Sequence, residues 1–256
     1  TIIIGKQIFD LGRNNYYGAV WSNGNTKTAS VSALVNHSFN KNWKLNFNSS
    51  FQSYDRASKS TAQLSTVTVA GDWTRPLVQN KNLETIVGDQ LSLQGTFNTG
   101  SVKHQLFTGV DWENSFATAN TYAFNPANYD TINLYNFDPS TQRNDIPNAN
   151  LTRIAKTDTD RFGIYAQDLV SFTEKIKLLL GLRWSWQEAT VATYDLTKTP
   201  ATLTETRPRK DEAFSPKAGL VYEPLKDMSV FASYSSSFTP NTGTTVDLQP
   251  IKASII

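Results

Sequence analysis

The chain has 256 residues, a formal net charge of +2, 39% hydrophobic and 12% aromatic residues, and no cysteine. A charge so near neutrality leaves no footprint for nucleic acid or anionic-lipid binding, and without cysteine there is no disulfide framework, thiolate nucleophile or thiolate metal site. A modest hydrophobic content alongside 6 Trp, 10 Tyr and 14 Phe excludes a disordered chain, which would be depleted in aromatics.

No apolar run approaches the roughly 18 residues that a membrane helix needs. The stretch from Leu169 to Leu182 comes nearest, and Glu174, Lys175 and Lys177 interrupt it. The first nine residues lack a basic region and a small-residue cleavage site. The chain is therefore expected to begin after processing, or inside a larger protein.

Residues 1–28 are irregular and rich in Asn, Gly and aromatics, which reads as a loop. From Ala29 the pattern becomes alternating, with Val31, Ala33 and Val35 on one face. After the turn Asn40-Lys41-Asn42, the residues Trp43, Leu45, Phe47 and Phe51 share a face opposite Lys44, Asn46, Asn48 and Ser50. Two alternating runs with so short a connection make a β-hairpin. Residues 55–84 alternate weakly and read as loop. A second hairpin spans Thr85 to Phe116, with Leu91, Leu93 and Phe97 on one arm and Val102, Leu106, Val110 and Trp112 on the other. Its turn is Asn98-Thr99-Gly100, and Lys103, Gln105, Asp111 and Glu113 fall on the opposite face.

The polar segment 117–158 reads as a further long loop. The third hairpin, Asp160 to Trp186, carries Leu178, Leu180, Leu182, Trp184 and Trp186 on one face. A segment at 188–210 follows, read as loop, with the basic residues Arg207, Arg209 and Lys210 beside Glu205, Asp211 and Glu212. The last hairpin places Phe214, Ala218, Leu220 and Tyr222 opposite Val230, Ala232 and Tyr234, and 239–256 reads as a final loop.

Every recognisable turn is short and every connection between hairpins is long. A membrane barrel sorts its loops by length in this way, with short periplasmic turns, long external loops and aromatic girdles at both interfaces. A soluble β-sandwich has no reason to do so, and it explains the terminal Trp184 and Trp186 less well. The expected fold is all-β, an antiparallel transmembrane β-barrel in the bacterial outer membrane, in contact with lipid on one face.

Several segments also carry a family likeness: VNHSFNKNWKL, TGSVKHQLFTGVDW, INLYNFDP, GIYAQD, LLLGLRW, FSPKAGLVYEP and VFASYSSSFTPNTG. In that order and spacing, over residues 29–245, they resemble the barrel of TonB-dependent outer-membrane receptors, the ferrichrome-type hydroxamate siderophore branch in particular. The resemblance implies a 22-stranded barrel filled by an N-terminal plug domain and driven through TonB. About eight strands are countable here, with no plug, TonB box or terminal aromatic strand, which fits the central part of a longer barrel. An arc of that size does not close at the family's diameter.

No catalytic constellation is present: HExxH, GxSxG and phosphate-cradling glycine loops are all missing. His37 and His104 are expected at the membrane interface, and Asp111 and Glu113 in lumen ion pairs with Lys or Arg of neighbouring strands or a plug. The Arg207–Lys210 cluster reads as a solvated loop or a contact with lipid phosphates. A ferric hydroxamate presents a nearly neutral, oxygen-rich surface around its own iron, so aromatic faces and hydroxyls suit it and no side chain need touch the metal. The loop candidates for this contact are Tyr16, Tyr17, Trp21, Tyr54, Trp73, Arg75, Tyr122, Phe124, Tyr129 and Tyr135. The sequence thus points to TonB-dependent uptake of a ferric siderophore, with iron carried in the ligand and no protein-bound cofactor. The competing readings are another cargo (cobalamin, haem or an oligosaccharide), a passive porin or structural barrel, and a soluble sandwich.

Overall fold

The computed structural model describes residues 2–4, 7–9, 15–240 and 254–255. The main sheet is built from β1 (Asn23–Ser38), β2 (Trp43–Thr61), β3 (Asp72–Thr99), β4 (Val102–Phe124), β5 (Asn128–Asn133), β6 (Ala149–Ser171), β7 (Ile176–Asp195), β8 (Thr202–Glu205), β9 (Arg209–Leu225) and β10 (Met228–Ser235). All pairings are antiparallel. The order is β10-β9-β7-β6-β4-β3-β2-β1, with β5 added to the upper end of β3 and β8 to β7. The sheet is an open arc whose edge strands, β1 and β10, are solvent-exposed along their whole length. Two short ribbons, Ile2–Ile4 with Gln7–Phe9 and Phe238–Thr239 with Ser254–Ile255, form separate two-stranded sheets.

The turns at one end are short for local reasons. Asn40 Oδ1 accepts from the backbone N–H groups of Asn42 (2.8 Å) and Trp43 (3.0 Å), closing the first turn with its own side chain. Gly100 holds φ at 63°, a left-handed value that a Cβ disfavours. Thr173 Oγ1 accepts from the N–H groups of Lys175 and Ile176, each at 3.1 Å.

The register aligns the alternating residues of seven strands. One row reads Phe214, Trp184, Ile164, Val110, Leu91, Phe47, Val35. The row beside it on the other face reads Ser215, Arg183, Tyr165, Gly109, Ser92, Asn46, Asn36. The apolar face has nothing packed on it: Leu182 is 51% exposed and Ile164 48%. Among the described residues the buried apolar side chains are Ala19, Trp73, Leu77, Tyr129, Leu134 and Ala213, and all but Ala213 gather at the loop end around the top of β3. A sheet with one bare apolar face, one polar face and no core between layers is the wall of a membrane barrel.

Aromatics bound the apolar band. At the turn end, Trp43 stacks on Phe97 (centroids 6.2 Å apart) and Phe97 on His104 (4.6 Å), while His104 Nδ1 lies 2.6 Å from Asp168 Oδ2. At the loop end the row Trp186, Phe162, Trp112 crosses three strands. His104 and Trp112 are eight residues apart, about 27 Å along a strand and about 21 Å in height at a tilt near 40°, which suits the apolar band of such barrels.

The expected loops differ in extent from what forms. Only 62–71 leaves the ladder within 55–84, and β4, β5 and β6 together occupy much of 117–158. Likewise β1 starts inside 1–28, and β7, β8 and the start of β9 fill most of 188–210. Most of 239–256 lies outside the described residues. The reason is physical. About 9–11 residues cross the bilayer, whereas β3 has 28 and β4 and β6 have 23 each. Above the lipid both faces of a strand meet water, so pairing persists while the alternation that reveals it is gone.

Candidate functional site

At the loop end the chain builds a small lobe with a core of its own. It is formed by residues 15–22, the top of β3, β5 and the segment 134–146. Its centre is Arg75, whose side chain is 0% exposed. Arg75 Nε donates to Asp130 Oδ1 (2.6 Å) and Nη2 to Asp130 Oδ2, while Nη1 donates to the Tyr17 carbonyl (3.0 Å) and to Gln142 Oε1 (2.8 Å). Two guanidinium groups lie over the Tyr129 ring, with Arg75 at 5.3 Å and Arg143 at 4.4 Å from its centre. The edge of Trp21 meets it at 5.4 Å and 88°. Tyr129 hydroxyl donates to the Asp145 carbonyl at 3.0 Å, and Arg143 grips the Asp145 carboxylate through two bonds of 2.8 and 2.7 Å. Gly71, at φ 90°, lets the Tyr135 ring lie on the backbone, where a Cβ would come within 2.5 Å of it.

These contacts reassign several sequence candidates. Trp73, Arg75 and Tyr129 are enclosed and offer a ligand no surface, because the lobe buries their apolar bodies and directs the Arg75 and Tyr129 donors to its own groups. Trp21 and Phe124 pack against the Ala19, Leu77 and Tyr129 cluster, and the Tyr17 ring rests on Phe137 at 5.0 Å. Tyr16 and Tyr135 keep large exposed faces. Tyr54 faces the lumen on β2, opposite Glu84, and Tyr122 follows a register shift near the top of β4.

Two lobe carboxylates are held below the usual acid range. The Arg143 guanidinium does this for Asp145, and the hydroxyl and backbone N–H of Ser140 do it for Asp138. A depressed folded-state pKa stabilises above the unfolded value and ceases to do so as pH falls through the folded one. Acidification below about 3.8, the unperturbed value, is therefore expected to loosen residues 138–145 while the main sheet stays intact. Hydrogen exchange corrected for intrinsic rates reads this directly, and equal protection at both pH values would refute it.

The lumen face carries a second constellation. Arg183 on β7 donates to both Asp111 oxygens on β4 at 2.7 Å each, and its Nε donates to Ser185 Oγ at 2.9 Å. Arg161 bridges to Glu113 and donates to Gln187 Oε1 at 3.0 Å. Gln90 on β3 donates to the Tyr165 hydroxyl at 2.9 Å. Both acids therefore pair with arginines on the lumen face as their parity leads one to expect, Glu113 with Arg161 of the neighbouring strand and Asp111 with Arg183 one strand further on. Within the basic cluster, Arg209 meets Asp211 at 2.9 Å and Lys210 meets Glu188 at 3.2 Å, both on strands. Gln90 and Tyr165 are absent from the loop candidates, although their even and odd positions mark them as lumen-facing.

Among the described residues no group of three or more His, Asp or Glu side chains could hold a metal ion. The wall and lobe offer charge-paired polar groups and aromatic faces, which suit recognition of a preformed complex rather than bond making.

Comparison with known proteins agrees with this geometry. Residues 6–253 match the family model "TonB dependent receptor-like, beta-barrel". The probable TonB-dependent receptor BfrD of Bordetella pertussis is 25% identical over 96% of this chain and 37% of its own length. The catecholate siderophore receptor Fiu of Escherichia coli K12 is 28% identical over 67% of this chain and 24% of its own. Among solved structures, the pyoverdine outer-membrane receptor FpvA from Pseudomonas aeruginosa PAO1, bound to pyoverdine, superposes with a TM-score of 0.77 at 22% identity, over 96% of this chain and 34% of that one. The chain thus spans about a third of the relatives that it matches end to end.

Proposed function

This chain belongs to the TonB-dependent receptor-like β-barrel family of the outer membrane, whose members are transport receptors and not enzymes, and from that premise we propose that it forms part of the wall and outer lobe of a ferric siderophore importer. The observation that carries the proposal is a wall apolar outside and charge-paired inside, capped by a lobe that exposes tyrosine faces. The long-strand end faces the medium and captures the complex, and the remainder of the receptor couples release to TonB. Iron stays within the siderophore.

The balance of charge supports the hydroxamate class. On the lumen wall, from mid-height up to the loop-end girdle and just beyond it, Arg183 is neutralised by Asp111, Arg161 by Glu113 and Arg209 by Asp211. Such a wall suits a nearly neutral ferric hydroxamate better than a multiply charged anion. The match to the catecholate receptor Fiu favours a second reading, a ferric catecholate.

The test is uptake of radioiron by cells that have the full-length receptor as their only siderophore receptor. Uptake from ferrichrome, lost on removal of TonB, is the expected result. Uptake from a ferric tris-catecholate alone would transfer the assignment to the second reading. Failure with both, or uptake independent of TonB, would overturn the importer reading.

A further inference from the structure

The lumen constellation has an unusual weave. The Arg183 side chain starts on β7, crosses over β6 and reaches Asp111 on β4. The residue it crosses is Gly163, which lies in one row with Ser185 and Asp111. A Cβ on Gly163 would stand 2.0 Å from Arg183 Nη2 and 2.5 Å from Cζ. One row away the same thing recurs. Tyr165 starts on β6, crosses β4 at Gly109 and meets Gln90 on β3. A Cβ on Gly109 would come within 2.7 Å of the Tyr165 hydroxyl. The two side chains also touch, with the Arg183 guanidinium 5.7 Å from the Tyr165 ring centre. Each large polar side chain thus lies flat along the wall, over a glycine, tied at its far end to the strand beyond. In front of them lies an open hollow of about 340 Å³ lined by Gln90, Phe107, Tyr165, Gln167 and Arg183.

Neither glycine here is needed for its backbone conformation, since neither has a left-handed φ. Their absent side chains serve the neighbours instead. To reach a partner beyond the adjacent strand, each side chain has to lie across the strand between. Laying them down lowers the profile of the wall where the lumen opens beside it.

We propose that Gly163 and Gly109 are clearance positions: they hold Arg183 and Tyr165 flat, so that this stretch of lumen wall stays smooth for the passage of the ferric complex. The proposal rests on the importer reading above. It makes Gly163 and Arg183 positioning residues of transport, acting after capture at the lobe.

Gly163 is the better handle. The three atoms nearest to a Cβ there all belong to the far end of the flexible Arg183 side chain, whereas one on Gly109 would strike the Leu91 carbonyl at 2.4 Å and disturb the sheet. The experiment compares Gly163→Ala, Arg183→Ala and the double variant in the full-length receptor. Surface binding in cells without TonB and radioiron uptake in energised cells are measured with ferrichrome and with a ferric tris-catecholate. Outer-membrane abundance is checked for each variant. Overpacking of this size shifts the flat-to-raised balance of Arg183 by about tenfold. Gly163→Ala is therefore expected to bind normally and to import about tenfold more slowly, and removing the arginine in the double variant restores import. Arg183→Ala alone is expected to import faster than Gly163→Ala. A double variant as slow as Gly163→Ala would overturn the proposal, as would unchanged import by Gly163→Ala. Equal impairment of all three variants would mean a strand clamp and nothing more. Normal import of neither probe by the wild-type receptor would instead overturn the importer reading, and this proposal with it.

Discussion

Replacing Arg75 by alanine is expected to unfasten the outer lobe while the membrane wall stays folded. The guanidinium is fully enclosed and all its observed bonds end on other parts of the lobe: Asp130, the Tyr17 carbonyl and Gln142. Removing it leaves the Asp130 carboxylate without its main partner and opens a void beside Tyr129. Breaking a buried pair from one side costs about 3–5 kcal/mol, far more than the loss of an exposed, solvent-screened pair such as Arg143–Asp145. The lobe has few other buried apolar groups to offset such a loss. The expected result is rapid amide exchange and protease cleavage within 134–146, with protection of β4, β6 and β7 unchanged. An Arg75→Met, Asp130→Leu double variant should recover much of the loss, since an apolar pair needs no charge compensation. If Arg75→Ala leaves protection in 134–146 as it was, the lobe is held by something other than this network.

The wall was legible because its environment imposes a period of two. Val35, Phe47, Leu91, Val110, Ile164, Trp184 and Phe214 can each be placed on one face from local alternation, and the register puts them in one continuous row. Lipid on one side and water on the other enforce that pattern strand by strand, so no long-range knowledge is needed. Above the lipid this rule lapses. Residues such as Asn80 to Thr85 and Ala117 to Thr121 pair as regularly as those below, yet carry no alternation to announce it. The lobe was hidden for a different reason. Arg75 finds its partners 55, 58 and 67 residues away, and no local pattern distinguishes a ligand-facing arginine from an enclosed one. The lumen weave lies between these cases. Parity puts Asp111, Arg183 and Tyr165 on the lumen face, but their reach across Gly109 and Gly163 depends on register between four strands. A glycine at lumen parity inside a long strand is the signal that points there, because glycine in a strand interior weakens it without some close approach to justify it.

Arginine at Leu182 is expected to destabilise the full-length receptor in lipid vesicles by about 2–4 kcal/mol, against almost nothing at Asn46. Leu182 lies midway between Leu178, at the turn-end girdle, and Trp186, at the loop-end girdle, and its outward side chain has nothing but lipid to meet. Four residues of strand, about 13 Å, separate it from either girdle, too far for a guanidinium to reach water without deforming the bilayer. Asn46 lies at nearly the same height on the lumen face, between Ser92 and Asn36, where a new charge stays hydrated. Height supplies the second comparison. Leu178→Arg sits in the row of His104, where the wall already tolerates a His104–Asp168 pair, and should cost only about 0–1 kcal/mol. Urea unfolding from vesicles measures all three. A cost that depends on face and on height identifies lipid as the surrounding medium, because a protein core would penalise Leu178→Arg and Leu182→Arg alike. Equal costs at Leu182 and Asn46 would mean that the two faces of this sheet do not see lipid and water respectively.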